Sequence, residues 1–160
     1  SAQEEDLARC SSLVHSLNKY KVFYETNKTT NHLYTNSIIY SPDVIFFRDD
    51  MSYEFVDSYK LSVITSPAPN VSVIGSNEDV KKAIVERTKR ILQIASINGY
   101  RNIVLGAWGC GVFGNDPKFI AKSFIESFLL VGNFQRLYFA VFDKRKNEPL
   151  FKCFKQIIKL

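Results

Sequence analysis

The sequence predicts an α/β domain built on a mixed, largely parallel sheet with helices on both faces. Three observations lead there. From Tyr59 onward, strand-like and helix-like stretches alternate, which is the order that builds a parallel sheet covered by helices. The apolar run Ile103-Val104-Leu105 enters a stretch with four glycines between Gly106 and Gly114, and a helical run follows from Pro117 to about Leu130. The strand at Tyr59–Thr65 stops abruptly at Ser66-Pro67-Ala68-Pro69-Asn70, since proline cannot continue a central ladder. Right-handed crossovers put the carboxyl ends of the strands starting at Tyr59, Asn102 and Arg136 on one side, where ligands of such folds bind.

Each element follows from local pattern. Leu7, Cys10, Val14 and Leu17 recur at helical spacing, so Gln3 to Leu17 reads as one helix entered at Ser1 or Ala2. Gln3, Glu4, Glu5 and Asp6 fill its first turn, where the helix dipole favours negative charge; for Glu4 and Glu5 that is a sufficient structural role. Residues Asn18 to Asn36 are polar and carry Tyr20, Phe23, Tyr24 and Tyr34, which reads as a long irregular segment pinned by aromatic rings. Ile38–Tyr40 and Val44–Phe47 are short strands parted by a turn at Ser41-Pro42-Asp43. Asp79 to Asn98 is a helix. Val80, Ile84, Ile91, Ile94 and Ala95 form its apolar stripe, Lys81, Lys82, Glu86, Lys89 and Arg90 its solvent face, and Ser76 or Asn77 its cap. Asn102–Gly106 reads as a buried strand. Pro117–Leu130 is a helix capped by Asn115 or Asp116, Arg136–Phe142 a strand, and Glu148–Ile158 a final helix.

The glycine-rich stretch carries the chemistry. Its glycines let the backbone approach a ligand closely, and the following helix offers unpaired amides and the positive end of its dipole. Together these suit a phosphate or pyrophosphate. A P-loop is excluded by the missing Gly-Lys-Ser/Thr ending, and the glycine spacing does not fit the dinucleotide fingerprint. A tight strand-to-helix turn without a ligand would need the same residues.

The totals bound the rest. A chain of 160 residues, 46% hydrophobic and 23% charged, reads as one soluble globular domain. No apolar run reaches membrane-spanning length. The net charge of +5 is scattered, and basic residues do not interleave with aromatics as in single-strand or RNA modules, so direct nucleic-acid binding is not expected. Cys10, Cys110 and Cys153 give an odd count without metal-ligand spacing, which points to an intracellular setting, cytoplasmic or nuclear. Cys110 lacks the flanking of a nucleophile elbow and reads as a small packing residue. Trp108 reads as core, and His15 and His32 as surface or core residues without an evident partner. Asn70 reads either as a ligand contact or as the end of a strand, and Asp143 likewise.

Several stretches, spread in order along the chain, match a known family. They are Ala2-Gln3-Glu4-Glu5-Asp6-Leu7 with Arg9 to Leu13, Tyr24-Glu25-Thr26-Asn27, Ile39-Tyr40-Ser41-Pro42, Phe47-Arg48-Asp49-Asp50, Val63 to Asn70, and Leu105 to Pro117. On these residues the sequence resembles the microbial-type poly(ADP-ribose) glycohydrolases, whose catalytic domain is a macrodomain. The resemblance implies a three-layer α/β/α fold over residues 1–160. It implies hydrolysis of the ribose–ribose O-glycosidic bond of poly(ADP-ribose) on modified proteins, with no metal and no cofactor. It implies Glu5 as general acid and then base, Glu4 beside it in the catalytic pair on the ribose hydroxyls, Gln3 in substrate binding, and Gly109, Cys110, Gly111, Val112, Phe113 and Gly114 around the diphosphate, with Phe113 against the ribose.

Spacing adds a constraint. Neighbouring residues on a helix point roughly 100° apart, from its 3.6 residues per turn. Glu4 and Glu5 therefore cannot flank one sugar, and a single acid must perform both proton transfers. That acid has to start protonated, through burial or through the charge of its neighbour.

In the family a Gly-Gly-Gly run and further strands precede Gln-Glu-Glu, and neither is in this sequence. The chain therefore reads as a carboxy-terminal portion whose first segment is cut away, comes from another chain, or is dropped in a shortened relative. An exposed apolar sheet edge is expected from that. A non-catalytic ADP-ribose-binding macrodomain is the alternative function.

Overall fold

A computed structural model describes residues 3–158; Ser1 and Ala2, read as the entry to the first helix, lie outside the described residues. The chain divides into two compact units. One comprises Ser37–Ser66 with the described part of Ser1–Thr29, and the other comprises Thr30–Asn36 with the described part of Pro67–Leu160.

The first unit contains α1 (Gln3–Cys10), α2 (Leu13–Leu17), a 3-10 turn at Asn18–Tyr20, α3 (Lys21–Thr29), β1 (Ile39–Arg48) and β2 (Phe55–Thr65). The single helix expected from Gln3 to Leu17 is broken at Ser11-Ser12. There the backbone leaves the helix to bridge β1: Ser11 pairs with Phe46, the Ser12 amide donates to the Ile45 carbonyl at 2.9 Å, and the Ile45 amide donates to Ser12 Oγ at 3.0 Å. Serine hydroxyls compete with helical hydrogen bonds, which makes this pair a natural break. The segment expected to be irregular folds as α3 up to Thr29. Its apolar side, Phe23 and Tyr24, packs on the cluster of Leu13, Leu17, Ile39, Val44 and Phe46. Tertiary burial overrides the middling helix propensity of its aromatic and β-branched residues.

The turn expected at Ser41-Pro42-Asp43 is instead a bulge inside one continuous strand. Ser41 faces Val63 and Val44 faces Leu61, so β1 spends an extra residue there, and Asp43 has φ of 50°. Proline has no N–H for the ladder and is accommodated at such a bulge. β2 runs antiparallel to β1. The expected place of Tyr59–Thr65 in a parallel sheet is thus corrected: the connection from Asp49 to Glu54 is far too short for a crossover and permits only a hairpin.

The second unit contains α4 (Val71–Ile74), α5 (Glu78–Ile97), β3 (Asn102–Gly106), α6 (Pro117–Val131), β4 (Arg136–Ala140) and α7 (Pro149–Ile158). β3 and β4 pair in parallel, joined through α6 as expected of a βαβ unit. Asn77 caps α5 by accepting from the Val80 amide at 2.9 Å, and Asp116 caps α6, with Pro117 in its first turn. Val80, Ile84, Ile91 and Leu92 of α5, Ile120 and Phe124 of α6, and Leu150 and Phe154 of α7 are buried. Thr88 and Ser127 hydroxyls meet at 3.1 Å, tying α5 to α6.

The described strands form two separate two-stranded sheets, not one largely parallel sheet in three layers. β3 is accordingly not the buried strand expected. On one of its faces Leu105 is buried, and its register partner Phe139 packs near Phe124 and Phe154. On the other, Val104 is 67% exposed and its partner Tyr138 47%. The apolar surface that this sheet leaves open at Val104 and Tyr138 is a face.

Candidate functional site

The acidic side chains lie in the first turn of α1. Glu4 is half-buried, and Tyr24 Oη of α3 donates to its Oε1 at 3.1 Å. Burial raises the Glu4 carboxyl above its ordinary value, the Tyr24 hydrogen bond pulls the other way, and the charge of Glu5 adds to the rise. Tyr24's own hydroxyl is pushed up by burial and by Glu4. Glu5 and Gln3 are exposed. Burial was one of two means expected to keep Glu5 protonated, and the described residues do not supply it. The helical angle between neighbours turns Glu4 toward Tyr24 and Glu5 outward.

The glycine stretch in the second unit is a pinned loop. Gly109 and Gly114 have φ of 70° and 68°. Asn115, 3% exposed, donates from Nδ2 to the carbonyls of Pro69 at 2.8 Å and Gly109 at 2.9 Å, and its amide also reaches the Gly109 carbonyl. Ser72 Oγ donates to the Val112 carbonyl at 2.8 Å, and the Ser72 amide donates to the Phe113 carbonyl at 3.0 Å. A Cβ on Gly109 would stand 2.5 Å from Ala68 Cβ, and one on Gly114 would stand 2.7 Å from Ser72 Oγ; one on Gly111 meets nothing within 4 Å. The Cys110 and Gly114 amides are used in turns, to Ala107 and Gly111. Among the described residues, the amides of Gly111, Val112 and Phe113 donate no hydrogen bond within the chain. Three successive unengaged amides are the kind of donor set that backbone anion sites use.

The helix end is less open than expected. Asp116 Oδ1 accepts from the Lys118 amide at 3.0 Å, so the α6 N-terminus is capped by the chain itself. Asn115, offered as that cap, pins the loop instead. Asn70 caps α4 without a side-chain hydrogen bond, and its Oδ1 is buried with no partner among the described residues, as is Asn115 Oδ1.

Residues 1–49 match the model described as microbial-type PARG, catalytic domain. The structure of poly(ADP-ribose) glycohydrolase from Deinococcus radiodurans in complex with ADP-ribose is 35% identical, with a TM-score of 0.91, over 99% of this chain and 68% of that one. The chain belongs to the microbial-type poly(ADP-ribose) glycohydrolase family. The Thermomonospora curvata glycohydrolase is 38% identical over 98% of this chain, with a TM-score of 0.91 for one structure and 0.89 for that bound to the inhibitor ADP-HPD. The chain spans 60% and 62% of those two, so it corresponds to part of each relative. A comparison with curated proteins finds no match.

The remaining candidates of this glycohydrolase relative fall as follows. Burial pushes the Cys110 thiol up to about 12, with Asp116 and Cys153 adding, which suits a packing residue and not a thiolate. Trp108 is half-buried with its ring edge-on to Phe124. His15 and His32 are exposed. Asp143 is occupied: Arg145 and the Leu150 amide hold its two oxygens and depress its carboxyl, which fastens the start of α7. No helix among the described residues is long and apolar enough to cross a membrane.

Two residues were not found from the sequence. Ser72 gave no signal. Arg87 carries one: it lies three residues after Ile84 and four before Ile91, on the apolar stripe of α5. It is 1% exposed, and burial draws its pKa down to about 10, so it stays charged at neutral pH.

Proposed function

We propose that the protein hydrolyses the ribose–ribose O-glycosidic bond of poly(ADP-ribose) and releases ADP-ribose. The observation that carries this is the pinned glycine loop, with its unengaged Gly111, Val112 and Phe113 amides, in a chain 35% identical to a glycohydrolase held with ADP-ribose.

In this reading the Gly109–Gly114 loop holds the diphosphate through the amides of Gly111, Val112 and Phe113, Phe113 packs against the ribose, and Asn70 turns its unpartnered Oδ1 to the ligand. Gln3 and Glu4 hold ribose hydroxyls, with Tyr24 fixing the rotamer of Glu4. Glu5 protonates the leaving ribose oxygen as the anomeric carbon takes on oxocarbenium character, and the resulting carboxylate then removes a proton from the attacking water. A ligand covering Glu5 would supply the burial that the described chain does not. The protein would work inside the cell on ADP-ribosylated proteins.

The exposure of Glu5 favours one second reading, a module that binds ADP-ribose without cleaving it. Calorimetry with ADP-ribose and chromatography of products from poly(ADP-ribose) separate the two. Binding accompanied by free ADP-ribose supports the hydrolase. Binding with intact polymer supports the module. Absence of both contradicts each.

A further inference from the structure

We infer that Arg87 is a positioning residue for the ligand loop, acting through the Thr30–Asn36 segment and the Tyr34–Phe113 ring contact. The inference rests on the reading of the glycine loop as the ADP-ribose site. Arg87 lies mid-way along α5 and has no carboxylate partner among the described hydrogen bonds and ion pairs. Its guanidinium donates from Nε to Asn36 Oδ1 at 2.8 Å, from Nη1 to the Pro67 carbonyl at 2.9 Å, and from Nη2 to the carbonyls of Leu33 at 2.7 Å and Tyr34 at 2.8 Å. Four bonds thus fix three backbone carbonyls and one side chain on irregular segments. Burying a cation without a counter-ion carries a large desolvation cost, offset here only by carbonyl and amide oxygens. An apolar side chain at this stripe position would fill the core without that cost.

What the fork holds explains its presence. Tyr34 has φ of 60°, a left-handed conformation that bulky residues adopt only where the surroundings enforce it. Arg87 grips the carbonyl of that same residue. The strained backbone presents the Tyr34 ring to Phe113, with centroids 6.1 Å apart and planes tilted by 33°. The same segment accepts from the Asn70 amide through the His32 carbonyl at 2.8 Å. Two residues assigned to the ligand, Phe113 and Asn70, are thereby braced by one segment, and Arg87 sets its backbone. Lysine keeps the charge but loses the planar fork, so it cannot hold these acceptors together.

The test measures ADP-ribose dissociation constants by calorimetry for wild type, Arg87→Lys, Phe113→Ala and the double variant, with thermal melts confirming folded protein. Arg87→Lys and Phe113→Ala are each expected to weaken binding about tenfold or more, and the double variant to bind within about twofold of the weaker single one, because both remove the same ring placement. Multiplying effects in the double variant, or wild-type affinity in Arg87→Lys beside a weakened Phe113→Ala, overturn the inference and leave the site reading intact. Wild-type affinity in Phe113→Ala removes the site reading and the inference with it. Should Arg87→Lys not fold, Tyr34→Ala takes its place in the cycle, with the same two outcomes expected and excluded.

Discussion

At the scale of single residues, the loop's glycines differ in what they require. Gly109 combines a left-handed backbone with a Cβ direction blocked by Ala68 and Asn115, so Gly109→Ala is expected to destabilise the fold by about 2 kcal/mol or more in chemical denaturation. Gly111 faces open space, and Gly111→Ala should stay within about 0.5 kcal/mol of wild type. Equal costs for the two would contradict the pinned-loop description. Glu4 supplies a pH prediction. Its folded carboxyl is raised, so its contribution to stability is full below the ordinary value of 4.5 and fades as pH climbs through the raised one. The melting temperature of wild type relative to Glu4→Gln should therefore fall as pH rises above 4.5. A difference that stays level, or grows in favour of wild type, goes against burial as the leading cause.

At the scale of elements, caps and breaks decide where helices run. Asn77→Ala removes the acceptor for the Val80 amide and should cost about 1 kcal/mol, read from the denaturant midpoint; no change would mean that α5 is fixed by packing alone. Elements governed by local chemistry were legible in the sequence. The Asn77 and Asp116 caps, Pro117 in the first turn of α6, and the span of β3 all follow from residues a few positions apart. Elements governed by distant partners were not. Ser11-Ser12 break the first helix only because β1 offers Ile45, α3 forms against a core its own polar residues do not reveal, and Pro42 bulges only because β2 runs alongside. Arg87 was hidden by its charge, since a cation on an apolar stripe is read as solvated until its acceptors are seen.

At the scale of the whole molecule, the two units each hold one part of the proposed machinery: Glu4 and Glu5 with Tyr24 in one, and the glycine loop with Asn70 in the other. The open face at Val104 and Tyr138 should bind an environment-sensitive apolar dye in the folded protein. Val104→Thr should weaken that signal without moving the melt by more than a degree or two, whereas a folded protein with no dye signal would mean the face is covered. The central claim is that Glu5 makes and breaks the proton bonds of glycoside hydrolysis, and the most direct measurement is the rate of ADP-ribose release from poly(ADP-ribose) by wild type and by Glu5→Gln at matched substrate occupancy. Loss of a general acid–base group predicts a fall of about a hundredfold or more in turnover with affinity for ADP-ribose largely kept. Release at the same rate by both proteins would contradict the account.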